Sequence, residues 1–468
     1  MASGRRRELA VNTGLFAISS FGSKIISFLL LPLYTVVLST GDYGTVDLMS
    51  STVSLLVPLL TLNIQDAVLR FGLGRDAEPG EILSVGLRLV AGGSCALFLA
   101  VVALLGLGLA PVDGIYCAFL VGMFVLTALS NVLTMYVKSQ DQVRSLVVSG
   151  IGNTLVMSVS AVVLLVAVKA GVVGYMASMV LGSLFSISYL LVAGKAWRCV
   201  GVKVRPGLMG SMVALSAPLV ANSLAWWVND VGDRYVVTFI CGAAANGIYA
   251  VAYKIPTILS TLQTIFYNAW AISAVKEFDP KDRDGFLGRM YGLYSGAMSL
   301  ACSTIMVLDV PLATLLYSSD FFEAWRYVPL LLVGVFLNGL ALFEGCLFTA
   351  ARNTKSVSWT AIAGACVGIA SCIGLTLVVG PLGAAIATVI GYVVTWCTRT
   401  VVMTRKVVRL KVSWRNEVTT LAVLLVQAGF AMQWGMQLAQ VPLLCLLVFL
   451  RRRQISGIWG LVRSKIRK

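Results

Sequence analysis

The sequence predicts an all-α polytopic membrane protein with about fourteen transmembrane helices, arranged as two parallel six-helix bundles plus a C-terminal helix pair. Three observations predict it. Of 468 residues, 58% are hydrophobic and only 12% charged, and the mean hydropathy of +0.90 is far too apolar for a soluble domain. Apolar runs near the roughly 20 residues needed to cross a bilayer follow one another almost end to end, separated by short polar loops. Basic residues cluster in alternate loops, the asymmetry that marks the cytoplasmic side.

Spans are expected near 9–38, 44–70, 81–109, 114–137, 146–168, 173–194, 208–240, 247–275, 285–309, 326–350, 356–379, 382–404, 417–434 and 436–450. The first follows Arg5, Arg6 and Arg7 and runs past residue 35 without a small-residue cleavage site, so it reads as a retained span and not a signal peptide. Basic clusters then recur at Arg70 and Arg75, Lys138 and Arg144, Lys195 to Arg205, Lys276 to Arg289, Arg352 and Lys355, Arg405 to Arg415, and Arg451 to Lys468. The intervening loops hold only Lys169 and Arg326, which puts both termini in the cytoplasm and makes the number of spans even. Anionic lipid headgroups account for the net charge of +16; nucleic acid does not.

The spacing repeats. Spans one and seven are both long, and Gly44 or Gly247 opens the span after each; Gly171, Gly174 and Gly182 match Gly380, Gly383 and Gly391 with identical intervals. The chain therefore divides into an N-terminal six-helix lobe (1–200), a C-terminal six-helix lobe (201–405) and an appended pair with a basic cytoplasmic tail (406–468). Each half starts on the same side and holds an even number of spans, so the repeats are parallel. The stretch Glu277 to Gly285 reads as a solvated loop of mixed charge, and no loop is long enough for a soluble catalytic domain.

The chemistry lies in charges placed where lipid is expected. Asn222 to Phe239, NSLAWWVNDVGDRYVVTF, puts two acids and an arginine inside span seven. Each ionised group at the bilayer centre costs roughly 3 kcal/mol, so such groups face a bundle interior or a watery cavity and are functional candidates. By helical rise, Arg234, Asp233 and Lys254 share a level in the outer half of the bilayer, with Asp230 one turn deeper. Lys24 falls near the midplane, and Arg70 and Arg88 lie lower still. This ladder of cations suits an anionic substrate, since a desolvated phosphate needs charge-assisted donors at each stopping point. Trp226 then lines the cavity and stacks on a sugar ring, while Asp230 and Asp233 act as counter-ions or carry a proton or sodium. The same residues also allow a purely structural reading, with Asp230 paired to Arg234 along the helix and Asp233 to Lys254 between helices. Pro32, Pro58, Pro218 and Pro256 fall inside spans, where each removes a helical hydrogen bond. Glu344 and Arg399 lie near cytoplasmic span ends and are expected to snorkel. There is no histidine, and the ten cysteines contain no CxxC pair, so no metal site, disulfide or cofactor is expected.

A family resemblance rests on Asn12, Gly22-Ser-Lys24, Pro32-Leu-Tyr34, the Asp42-Tyr43-Gly44 turn, Asp66, Arg70-Phe71, Asp233-Arg234, Gly247-x-Tyr249, and Val310-Pro311 with Tyr317. With the two-times-six layout, these make the chain resemble the polysaccharide repeat-unit (O-antigen, Wzx-like) flippases. Their superfamily also holds the multidrug-and-toxin extruders (MATE) and the lipid II flippase. The resemblance implies a bacterial cytoplasmic-membrane transporter and not an enzyme. Such a protein moves undecaprenyl-diphosphate-linked oligosaccharide from the inner to the outer leaflet by alternating access, coupled to a proton or sodium gradient. A cation-coupled multidrug antiporter of the same fold would want an acid-dominated cavity, whereas cations here at least match acids. A membrane-embedded glycan polymerase or glycosyltransferase would want a long outer loop carrying clustered arginines or paired acids, and the outer loops are short.

Overall fold

With no water to bond the backbone, an apolar chain satisfies its N–H and C=O groups within helices. In a computed structural model every regular element among the described residues is helical. The structure describes residues 22–74, 77–109, 113–199, 201–351, 353–408, 410, 412–452 and 454. The basic N-terminus, Asn12 and most of the C-terminal tail lie outside the described residues. The chain divides into two compact units between Val231 and Gly232, inside one long helix.

The first unit holds α1 (Gly22–Val37), α2 (Thr40–Leu60), α3 (Ile64–Gly74), α4 (Pro79–Gly106), α5 (Gly114–Ser139), α6 (Val143–Val162, continued by a π turn to Ala167), α7 (Gly171–Ala193) and the start of α8 (Leu208–Cys241). Its centre is α5, where Phe124, Ala128, Val132 and Leu133 pack with Ala67 and Val68 of α3 and Ile82 and Val85 of α4. The second unit holds the rest of α8 and α9 (Ala243–Ala252), α10 (Pro256–Lys276), α11 (Phe286–Val307), α12 (Asp309–Leu316), α13 (Val328–Ala350), α14 (Thr354–Val379), α15 (Pro381–Lys406), α16 (Trp414–Ala431) and α17 (Gln440–Leu450). Here α13 is the hub: 78% of its apolar window is buried, against 17% for α14. Trp270 of α10 stacks on Phe343 of α13 at 4.2 Å and donates its indole N–H to the Phe343 carbonyl. The outward faces of α4 (Phe98, Leu99) and α14 (Trp359, Val378) are apolar, as lipid requires.

Among the described residues ten helices are long and apolar enough to cross a membrane, joined by shorter apolar helices at Gly22–Val37, Ala243–Ala252 and Gln437–Leu450. The protein is a multi-pass membrane protein. Two expected spans are interrupted. Span two stops at Leu60 and restarts at Ile64, because Leu62 and Asn63 both take φ of 53° and turn the chain through the left-handed region. The Asn63 amide donates to Ser223 Oγ at 2.7 Å, which holds the turn against α8. Span eight breaks at Tyr253 to Ile255, since Pro256 has no N–H to continue α9 and instead starts α10.

The matched glycines do matched work. A Cβ on Gly182 of α7 would lie 2.9 Å from Met157 Cβ of α6, and one on Gly391 of α15 would lie 3.1 Å from Gly368 Cα of α14. In both hairpins the missing side chain lets two helices close.

Four polar groups depart from expectation. Glu344 and Arg399 do not snorkel but are enclosed, at 0% and 5% exposure. Arg451, expected to open the basic tail, is 1% exposed and forms a two-bond ion pair with Glu417 (2.8 and 2.9 Å), because the end of α17 turns inward onto α16 and α11. Asp282 of the expected solvated loop is buried instead, accepting the N–H groups of Leu287 and Gly288 and so capping α11.

Candidate functional site

Gly242, at φ 91°, lets the chain reverse directly between α8 and α9, a backbone state that favours glycine. The reversal brings Asp233, two turns before the end of α8, against the start of span eight. Tyr249 and Tyr253 are one turn apart and share a face. The Tyr249 hydroxyl donates to Asp233 Oδ2 at 2.8 Å and the Tyr253 hydroxyl to the same oxygen at 2.6 Å. Thr388 of α15 brings a third hydroxyl, 3.4 Å from that oxygen and 3.0 Å from the Ala384 carbonyl, its single proton serving one or the other. Asp233 Oδ1 accepts the Arg234 N–H at 2.9 Å. The Arg234 guanidinium sits 5.2 Å from the Tyr253 ring centroid, within cation–π range. Tyr249 is fully buried and meets Tyr253 and Tyr327 edge-on.

The arrangement is a carboxylate in a ring of hydroxyls, drawn from α8, α9, the break that follows it and α15. Chemically it offers hard oxygen donors around one negative charge, a set suited to a proton or a small cation. Neither structural pairing considered from the sequence is formed. Asp233 is held by tyrosine hydroxyls and not by the Lys254 ammonium, and Asp230 is exposed and makes no ion pair with Arg234.

The other candidates fall as follows. Lys254 sits in the helix break beside Tyr253. In the first unit Lys24 lies on an exposed face of α1, Arg70 is exposed on α3 and Arg88 on α4, and Trp226 is 54% exposed on α8. Arg70 and Arg88 form no hydrogen bond or ion pair among the described residues. Trp227 is an anchor: its indole N–H points at the Ser51 carbonyl (2.9 Å) and Ser54 Oγ (3.1 Å) of α2. Sequence reasoning missed Tyr253 and Thr388. The i, i+4 tyrosines following Gly247 were the available signal, and nothing near Thr388 marks it.

The sequence matches the family described as polysaccharide biosynthesis protein over residues 9–272. No curated protein matches. Among solved structures the chain is similar to the lipid II flippase MurJ in an inward closed conformation, with a TM-score of 0.66 and 13% identity, covering 97% of this chain and 99% of that one. It is similar also to a multidrug resistance MATE family transporter of the MOP superfamily, inward-facing (TM-score 0.63, 12% identity, 85% and 95% covered). An outward-facing MATE transporter of that superfamily matches with a TM-score of 0.57 at 12% identity, covering 89% and 96%. The fold is thus the one shared by MurJ and the MATE transporters. With more than half its length matched, the chain belongs to the polysaccharide biosynthesis protein family.

Proposed function

We propose that this protein is a flippase that moves undecaprenyl-diphosphate-linked oligosaccharide repeat units from the inner to the outer leaflet of the bacterial cytoplasmic membrane by alternating access. Both termini are cytoplasmic, the two six-helix lobes are 1–200 and 201–405, and residues 406–468 form an accessory pair. The observation that carries the reading is the polysaccharide-biosynthesis family match on a chain that has the fold of a lipid flippase over 97% of its length.

Lys24, Arg70, Arg88, Arg234 and Lys254 are the cations that receive the diphosphate along the path, and Trp226 stacks on a sugar. A pyranose face against an indole gains apolar contact without needing a fixed hydroxyl pattern, which suits a variable glycan. Asp233 is the ion-coupling carboxylate: its ring of hydroxyls stabilises the charged form when the cation is absent and supplies ligands when it is present. Asp230, exposed one turn earlier, is the second acid of the coupling pair.

The test is export in a strain lacking its own repeat-unit flippase. Expression of the wild-type chain restores surface polysaccharide, while Lys24→Ala abolishes it with the protein still in the membrane. Normal surface polysaccharide in that variant would overturn the cationic path. The carboxylate ring and the MATE likeness favour one second reading, a cation-coupled multidrug antiporter. Drug resistance conferred without restored polysaccharide would select it.

A further inference from the structure

The second unit contains a buried carboxyl that the site around Asp233 does not use. Glu344 lies six residues before the end of α13, beside Thr400, six residues before the end of α15. Glu344 is 0% exposed. Its Oε1 accepts the Thr400 hydroxyl at 2.7 Å, and its Oε2 is buried without any hydrogen-bond partner. Arg399, the adjacent residue on α15, does not supply one. Its donors go to Ala341 O (2.6 Å), Thr360 Oγ1 (3.2 Å) and Val357 O (3.2 Å), so the guanidinium is committed to backbone and hydroxyl oxygens.

The contrast with Glu417 in the same unit is informative. Both Glu417 oxygens are hydrogen-bonded to Arg451, and one also accepts the Ser295 hydroxyl, which is how a buried carboxylate keeps its charge. Glu344 has one hydroxyl and an orphan oxygen. A bare charged oxygen in the bundle loses its hydration with no donor in return, whereas a proton on Oε2 removes the charge and leaves Oε1 as the carbonyl acceptor that Thr400 already addresses.

We propose that Glu344 is a second proton-binding carboxyl of this unit, one that takes and releases a proton on Oε2 while Thr400 holds Oε1. The ionisable groups around it are Arg399 and Cys397 on α15, Tyr291 on α11, and the Glu417–Arg451 pair on α16 and α17; Tyr267 on α10 and Cys346 on α13 lie nearby. The site is separate from Asp233, although α15 links them. Thr388, beside Asp233, and Thr400, beside Glu344, are twelve residues apart, about 18 Å along the helix. The proposal does not depend on which cargo the protein carries.

The test is pH-difference infrared spectroscopy of the purified full chain in lipid nanodiscs. The wild type should show a C=O stretch of a protonated carboxyl that titrates with pH. Glu344→Gln should lose that band and Asp233→Asn should keep it. Thr400→Val should keep the band but move it to higher frequency, because the carbonyl has lost its donor; a merely structural role for Thr400 would not shift it. Thr400→Val also serves if Glu344→Gln fails to fold. A Glu344→Gln spectrum that superimposes on the wild type, a band removed by Asp233→Asn alone, or a band unmoved by Thr400→Val would overturn the proposal.

Discussion

Replacing Arg451 by alanine should loosen the last helix pair by an amount that the structure sets. Arg451 gives Nη1 and Nη2 to the two Glu417 oxygens at 2.8 and 2.9 Å, Nε to Thr420 at 3.1 Å, and Nη2 again to Ser295 at 3.2 Å. Glu417 is 3% exposed, so removing the arginine leaves a buried carboxylate with one hydroxyl donor in place of two charged ones. Breaking a buried pair in this way costs about 3–5 kcal/mol. At about 1.4 kcal/mol per factor of ten, local opening of α16 and α17 becomes about 10²- to 4 × 10³-fold more frequent. Amide hydrogen exchange across Trp414–Ala431 and Gln440–Leu450, measured in nanodiscs, should accelerate by that factor. Exchange in α4 should not change, since that helix belongs to the other unit.

The double variant Glu417→Leu with Arg451→Met separates charge pairing from packing. Filling the same volume with apolar atoms removes the desolvation cost of both ions, so protection should return to the wild-type level or exceed it. The Gln427 amide and Ser303, bonded at 2.7 and 3.0 Å one face further along, remain to hold register in every variant. Unchanged exchange in Arg451→Ala would refute the reasoning, as would a double variant looser than the single one.

Three other perturbations test separate links. Gly383→Ala places a methyl against the backbone of Leu375 and Thr376, which cannot move aside, and should lower the thermal midpoint and the yield of folded protein; Gly374→Ala, with nothing within 4 Å, should leave both unchanged. Trp227→Phe keeps an aromatic ring, though a smaller one, and removes the N–H shared by Ser51 and Ser54; it should cost at least about 1 kcal/mol in a denaturation series. The N–H groups of Arg283 and Lys281 hold the Asp279 carboxyl below the usual carboxylate range, in a loop outside the spans. The stabilisation of that loop is therefore complete above the ordinary aspartate value and lost as pH falls through the lowered one. Carboxyl chemical shifts of labelled aspartate should show Asp279 titrating at lower pH than in an unfolded peptide of the same sequence, and Asp279→Asn should remove the acid-side transition.

The spans were legible in the sequence because lipid imposes length and composition on each separately, and no partner need be known. Gly182 and Gly391 were legible for a related reason, since close approach of two helices removes a side chain at a fixed interval in both halves. The breaks were less so. Pro256 announces one by its missing N–H, but Leu62 and Asn63 adopt a left-handed turn that neither residue type demands, held by a hydrogen bond from the Asn63 side-chain amide to Ser223, 160 positions away. Charge was the least legible property, because a sequence gives its sign while its free energy depends on what surrounds it. Arg451 heads a run of basic residues and looks like a tail, yet Glu417, 34 positions earlier, draws it inside. Asp233 shares one helix with Asp230 and Arg234, yet the side chains that receive it are the hydroxyls of Tyr249, Tyr253 and Thr388, which carry no charge. Glu417, Asp233 and Glu344 are therefore distinguished by their donors. The guanidinium of Arg451 meets both oxygens of Glu417, whereas Asp233 and Glu344 are met by hydroxyls, and the coupling roles proposed above for those two rest on that difference. Ion coupling needs the second arrangement, because a carboxylate whose charge is permanently answered by an arginine has nothing left to exchange.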